Sequence, residues 1–293
     1  MHSYLRSIGF SELERKELDQ ILKEVITQYD EKTVIENSEG HLFVEVSKIF
    51  GCDVGITVCG EYDENNEFEM EYYFPFFRGT GITTQENVLI ERHVGKESYA
   101  GAVDDIRIGV TIIFYLQNAA EYLTEHRHGH YTKGVYPVYP VTLAGLAREA
   151  RILLPVKKDE KQQREERENT VNRNRMIAAA RNGDEEAMEN LTMEDIDTYS
   201  MISGRIANED IYSIVDTYFM PYGMECDLYN IMGEITEWSI TKNILTNEEI
   251  YQIRISCNDM EIDICVNAKD LLGEPEVGRR FKGVIWLQGN VDF

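Results

Sequence analysis

The chain has 293 residues, 43% of them apolar and 10% aromatic, an ordinary globular composition with length for about two domains. Its 53 acidic side chains against 29 basic ones leave a net charge of −24, which would repel nucleic-acid phosphates and an anionic lipid surface over most of the molecule. The opening "MHSYLRSIGF" carries no basic, apolar and small-residue leader, and no apolar run reaches the ~18 residues of a membrane span, so a cytoplasmic protein with neither nucleic-acid nor membrane partners is expected.

Ser11 and Glu14 read as a capping box ahead of a helix with Leu18, Ile21, Leu22, Val25, Ile26 and Tyr29 at helical spacing. Strands are predicted next, in "HLFVEVSKIF", "DVGITVCGEY" and "FEMEYYFPF". In the last of these Phe68, Met70, Tyr72, Phe74 and Phe76 alternate with Glu69, Glu71 and Tyr73, and "DENNE" is the turn before it. "IRIGVTIIF" alternates likewise from Ile106 to Phe114. One polar face per strand marks an antiparallel sheet with helices on its apolar side.

"YLQNAAEYLTEH" is helical through Leu116, Ala119, Ala120 and Leu123, and two prolines hold "VYPVYPV" extended. "TLAGLAREARILLP" reads as a further helix, capped by Thr142 and stopped by Pro155. Residues 157–182 then bring 8 basic and 5 acidic side chains and few apolar ones, and they read as a basic helical connector. It separates an α+β domain at 1–156 from a second domain at 183–293.

That second domain opens with three short helices, "NGDEEAMENL", "TMEDIDTYSMI" with Thr192 as its cap, and "NEDIYSIVDTY". Strands follow from "ECDLYNIMGEITEW" onward. "EIYQIRISC" and "EIDICV" flank "NDM" as a hairpin, which places Ile253, Ile255 and Cys257 opposite Ile262, Ile264 and Val266 inside and Cys265 on the outer face. The short helical "KDLLG" and the strand "RRFKGVIWLQGNV" complete a strand, strand, strand, helix, strand order similar to an OB-fold. The predicted fold class is therefore α+β, an antiparallel domain with covering helices joined to a small helix-plus-barrel domain. Cys52, Cys59, Cys226, Cys257 and Cys265 are an odd, scattered set without a C-x-x-C pair and read as reduced thiols.

Few residues carry recognisable chemistry. His126, His128 and His130 in "TEHRHGHY" would share one face of a strand and could hold zinc with a position open for water, backed by Glu121 or Glu125. The preceding register is helical, and on a helix positions two apart point about 200° from each other, so the preferred reading is a helix end closed at Gly129. "FFRGTGIT" sets Arg78 beside a G-x-G, but the spacing of a phosphate loop is missing and a hairpin or bulge is expected. Ser98 lacks a nucleophile elbow, nothing local fixes Cys59 against His93, and the acid pairs Asp104–Asp105 and Asp195–Asp197 are expected by chance in so acidic a chain. Tyr136 and Tyr139 in "GVYPVYPV", and Phe219 and Tyr222 in "YFMPYGME", sit on proline-stiffened segments. Lying against their own domain is the preferred reading for them; an interface, between the two domains or within a homodimer, is the next, and it leaves room for a protein partner or self-association.

At "DTYFMPYGMECD", at "KDLLGEPEVGRRFKGVIWLQG" and at the opening "SYLRSIGFS", the chain resembles an uncharacterised bacterial family, domain of unknown function 3881. The resemblance implies a whole-chain bacterial protein and carries no activity and no functional residue. The sequence reading is a non-catalytic binding or assembly module with no cofactor, and the alternative is a metal-dependent hydrolase using zinc at His126, His128 and His130. An OB-type nucleic-acid groove would have only Arg254, Arg279, Arg280, Lys282 and Trp286 to draw on.

Overall fold

The structure is a computed structural model and describes residues 1–36, 42–63, 67–94, 96–105, 107–127, 138–156, 160–206 and 211–293. A 3-10 turn over Ser3–Ile8 ends at Gly9, whose φ is 87°, and α1 (Arg15–Thr27) follows. As the spacing predicts, α1 buries Leu18, Ile21, Leu22 and Val25. Its start lies later than predicted. The Glu14 amide donates to Glu17 at 2.8 Å, whereas Ser11 hydrogen-bonds to Glu248, far away in sequence.

β1 (Glu31–Glu36), β2 (Leu42–Gly51), β3 (Val54–Tyr62) and β4 (Phe68–Phe77) form an antiparallel sheet in chain order. Val44, Val46, Ile56 and Val58 share one core with the apolar row of α1. Met70 departs from the expected alternation and is exposed, because the β3–β4 register shifts between Cys59 and Gly60.

β5 (Val88–Arg92), β6 (Tyr99–Asp104) and β7 (Thr111–Leu116) form an antiparallel meander. The strand expected from Ile106 begins only at Thr111, since Arg107 turns the chain back, its guanidinium on Asp105 and the Thr83 carbonyl. α2 (Ala119–Arg127) is helical as predicted from Ala119 onward, whereas Tyr115 and Leu116, read as the start of that helix, end β7. The segment 141–153, predicted as a helix, is instead the long strand β8 (Val141–Leu153). Both of its faces are covered: Leu143 and Ala147 belong to one core, Ala144 and Leu146 to the other. That removes the polar alternation of a half-exposed strand, and its alanines, leucines, arginines and glutamate carry helix propensity that the packing overrides.

α3 (Glu160–Arg181) is a single helix of 22 residues. α4 (Glu185–Ile206) is one helix where two were predicted, because the Thr192 hydroxyl donates to the Met188 carbonyl within the helix instead of capping a new one. The short α5 (Ile211–Ile214) leads to β9 (Tyr218–Pro221).

β10 (Leu228–Lys242), β11 (Glu249–Cys257), β12 (Met260–Asn267), the two-residue β13 (Leu271–Leu272) and β14 (Arg280–Val291) complete the chain. The predicted hairpin register holds, with Ile253 opposite Ile264, Ile255 opposite Ile262 and Cys257 opposite Met260. Asn258 and Asp259 turn it with φ of 51° and 58°, the left-handed pair a two-residue hairpin needs. β8, β12, β11, β10 and β14 follow one another round a closed five-stranded barrel, which β14 seals by pairing with β8. β8 from before the connector thus closes a barrel whose other strands follow it. The fold is mixed α+β, mostly strands. Among the described residues no helix is long and apolar enough to cross a membrane.

The barrel interior holds Ile253, Ile255, Cys257, Ile285 and Leu287, while Cys265 and Trp286 on its outside join the core of the first sheet. Cys265 therefore faces outward from the barrel as predicted, yet it is fully buried, its thiol against the Ser7 carbonyl of the opening 3-10 turn.

Candidate functional site

The side of the four-stranded sheet opposite α1 is polar in its middle. Strand register sets Glu31 beside Ser47 and Thr33 beside Glu45 across β1 and β2, and Ser47 beside Thr57 across β2 and β3. These residues alternate with Val44, Val46 and Val58, as the two faces of a strand require. α2 runs over this polar row, and between them lies a cavity of about 580 Å³, within the size range of small-molecule sites. Phe74 and Phe76 of β4 line one part of it, and Glu121, Thr124 and Glu125 of α2 another.

Glu45 is the central group. Protein encloses its carboxylate, and the surface it retains lines the cavity. Among the described residues the donor that reaches it is the Ala120 amide at the start of α2, at 3.4 Å, a weak contact. Loss of water raises its pKa from 4.5 to about 7. The Ala120 amide and Arg78 oppose the rise, and the neighbouring charges of Glu31 and Glu121 add to it. A carboxylate so placed is neutral and charged in comparable amounts near neutral pH.

Arg78 stands at the mouth. It grips Glu31 through both ends of the guanidinium and lies over the Phe76 ring at 4.8 Å. The pairing holds the Glu31 carboxyl below its usual range and the Arg78 guanidinium above its own. Ser47 and Thr57 hydroxyls bond each other at 2.8 Å. At the inner end, Gln117 donates to the Phe77 carbonyl and to Gln288, while Gln288 donates to the Pro75 carbonyl and accepts from the Phe77 amide. This buried amide pair ties β4 to β7 and β14 and fixes the cavity wall.

Of the residues singled out from sequence, Arg78, Glu121 and Glu125 line the cavity, and the other described ones lie elsewhere. His126 is in the last turn of α2, and His128, Gly129, His130 and Tyr136 lie outside the described residues. Among the described residues no three His, Cys, Asp or Glu side chains are placed to hold a metal. Tyr139 is half-buried with its ring 5.1 Å from that of Phe293. Phe219 is buried on β9 with its ring 4.4 Å from Tyr229, and Tyr222 is 49% exposed. His93 and Cys59 do not meet as a pair. His93 bonds Ser98 at 3.0 Å across the end of the β5–β6 hairpin, and the buried Cys59 thiol has its pKa pushed well up, which makes it a poor nucleophile. Arg78 reaches the cavity through its side chain; its G-x-G neighbours Gly79 and Gly81 form a loop, not a phosphate cradle.

Glu45, Ser47 and Thr57 escaped the sequence reading. Their signal was the polar alternation in "FVEVSKI" and "GITVCG", which also describes a strand with one face in water.

No curated protein and no solved structure matches the chain. The family model described as "Domain of unknown function, E. rectale Gene description (DUF3881)" matches residues 5–289, and with nearly its whole length covered the chain belongs to that family.

Proposed function

We propose that this protein is a non-catalytic binding module that holds a small polar molecule between the four-stranded sheet and α2. The carrying observation is the cavity of about 580 Å³ floored by hydroxyls and a carboxylate, on a sheet face that packing alone would make apolar. Protein-enclosed polar groups of this kind give a ligand orientation, and the Phe74 and Phe76 rings give it apolar contact.

Thermal-shift screening of the wild type beside a Ser47→Phe variant, which fills the cavity, tests the reading. Binders should raise the wild-type midpoint and leave the variant's in place; a metabolite panel that moves neither chain, or both equally, refutes it. The rival reading of a zinc hydrolase at His126, His128 and His130 is decided by elemental analysis of the same samples, with stoichiometric zinc lost in His128→Ala in its favour. The OB-like reading of the barrel belongs to this proposal. It is supported by the order from Leu228 onward of three strands, a 3-10 turn, the two-residue β13 and a last long strand. Five free cysteines, three of them buried, support placement in a reducing cytoplasm.

A further inference from the structure

Charge in the cavity is one-sided. Four carboxylates, from Glu31, Glu45, Glu121 and Glu125, line it with a single guanidinium, and that guanidinium is already committed to Glu31. An anionic ligand would meet Glu45 inside and two carboxylates at the rim. A metal ion is disfavoured for a different reason: among the described residues no three carboxylates converge on one point. The negative charge is spread along the cavity, and a point cation would satisfy only one part of it.

Glu45 lies within, while Glu121 and Glu125 are exposed at the α2 rim. Phe74 and Phe76 offer ring faces and apolar surface in the same cavity. Ser47 lies two residues along β2 from Glu45 on the same face, with Thr57 opposite it on β3, and these hydroxyls can accept further hydrogen bonds from a donor-rich head group. Separated carboxylates with an apolar stretch between them match a molecule with separated ammonium groups and a methylene chain.

We infer that the cavity takes an alkyl diamine or short polyamine, one ammonium on Glu45, the methylenes along Phe74 and Phe76, and a second ammonium at Glu121 and Glu125. The inference rests on the binding reading above and names its ligand class. The inner ammonium replaces the donors that Glu45 lacks, and the rings add cation–π attraction. The rim carboxylates make the second charge worth carrying.

Calorimetric titration tests it, with 1,5-diaminopentane and spermidine against pentylamine and 1,5-pentanediol, at physiological salt and at a pH above the Glu45 midpoint. Salt screens the loose attraction of amines to so acidic a surface. One diamine or spermidine per chain is expected, weakened about tenfold or more by Glu45→Gln, with the diol silent. A Glu121→Gln, Glu125→Gln double variant should lose the advantage of the diamine over pentylamine; both sites are exposed, so this arm does not depend on how Glu45→Gln folds. Diamine binding equal in wild type and Glu45→Gln would be surface association and would overturn the inference. Silence from all amines, with neutral or anionic metabolites still binding the wild type and not Ser47→Phe, would overturn the ligand class and leave the binding reading standing. Failure of every probe in both experiments would remove both.

Discussion

Glu45 couples the stability of the empty protein to pH. Its folded pKa of about 7 exceeds the ordinary 4.5, so its stabilising contribution is present below about pH 4.5 and is lost as pH rises through 7. The groups that set this balance are the Ala120 amide and Arg78 on one side and Glu31 and Glu121 on the other. Glu45→Gln should therefore be more stable than wild type above pH 7, by about 1–3 kcal/mol, and equal to it near pH 4. Urea midpoints across that range decide it, and a difference independent of pH would contradict the assignment. Gln288 gives a second test. Replacing it by leucine strands the buried Phe77 amide and Pro75 carbonyl, and a loss of about 2–4 kcal/mol is expected in the same measurement. Neither residue could be chosen from sequence. Glu45 is one of 53 acids, and only the arrival of α2 over its strand makes it different from a solvated one.

Elements with one wet face were the legible ones. The α1 stripe and β11 alternate between core and a more open face, and β12 keeps a polar alternation in sequence although both its faces are covered, so their registers followed from the apolar pattern. β8 has no wet face over most of its length, so pattern gave way to propensity and misled. A similar dry contact joins β6, β7 and β14. The Phe114 ring lies over Gly101 on one neighbour and Gly289 on the other, where an added Cβ would come within 2.1 and 2.3 Å of ring atoms. Gly289→Ala should cost more than about 2 kcal/mol, because neither the ring nor the strand backbone can retreat. In a Phe114→Leu background the same change should cost much less. A double-mutant cycle with a coupling of about 1 kcal/mol or more confirms that the ring and not the strand backbone is what refuses the methyl.

The whole molecule is a barrel with a sheet on its flank and a helical excursion from β8 to β9. Arg280, only 7% exposed, grips the roots of that excursion. Its guanidinium donates to the Leu154 carbonyl on one side and to the Tyr212 and Val215 carbonyls on the other, at 2.8 to 3.0 Å. The two roots are thus neighbours irrespective of the helices. Joining residue 156 to residue 211 through a short glycine-rich linker should leave a single cooperative transition, with its midpoint moved by no more than about 5 °C. A molten product would show the excursion to be part of the core. The division into barrel and sheet was only half readable, since nothing in residues 141–153 announces partners that lie more than a hundred positions later.

That distance has a consequence for synthesis. When β8 leaves the ribosome, neither β12 nor β14, its partners on either side, has been translated, and its dry faces and backbone edges must wait for residues 260–291. The nascent chain spends that interval with a strand uncovered that the finished protein covers on both faces over residues 143–147, so its yield in a cell should depend on ribosome-associated chaperones that shelter such segments far more than its finished stability would suggest.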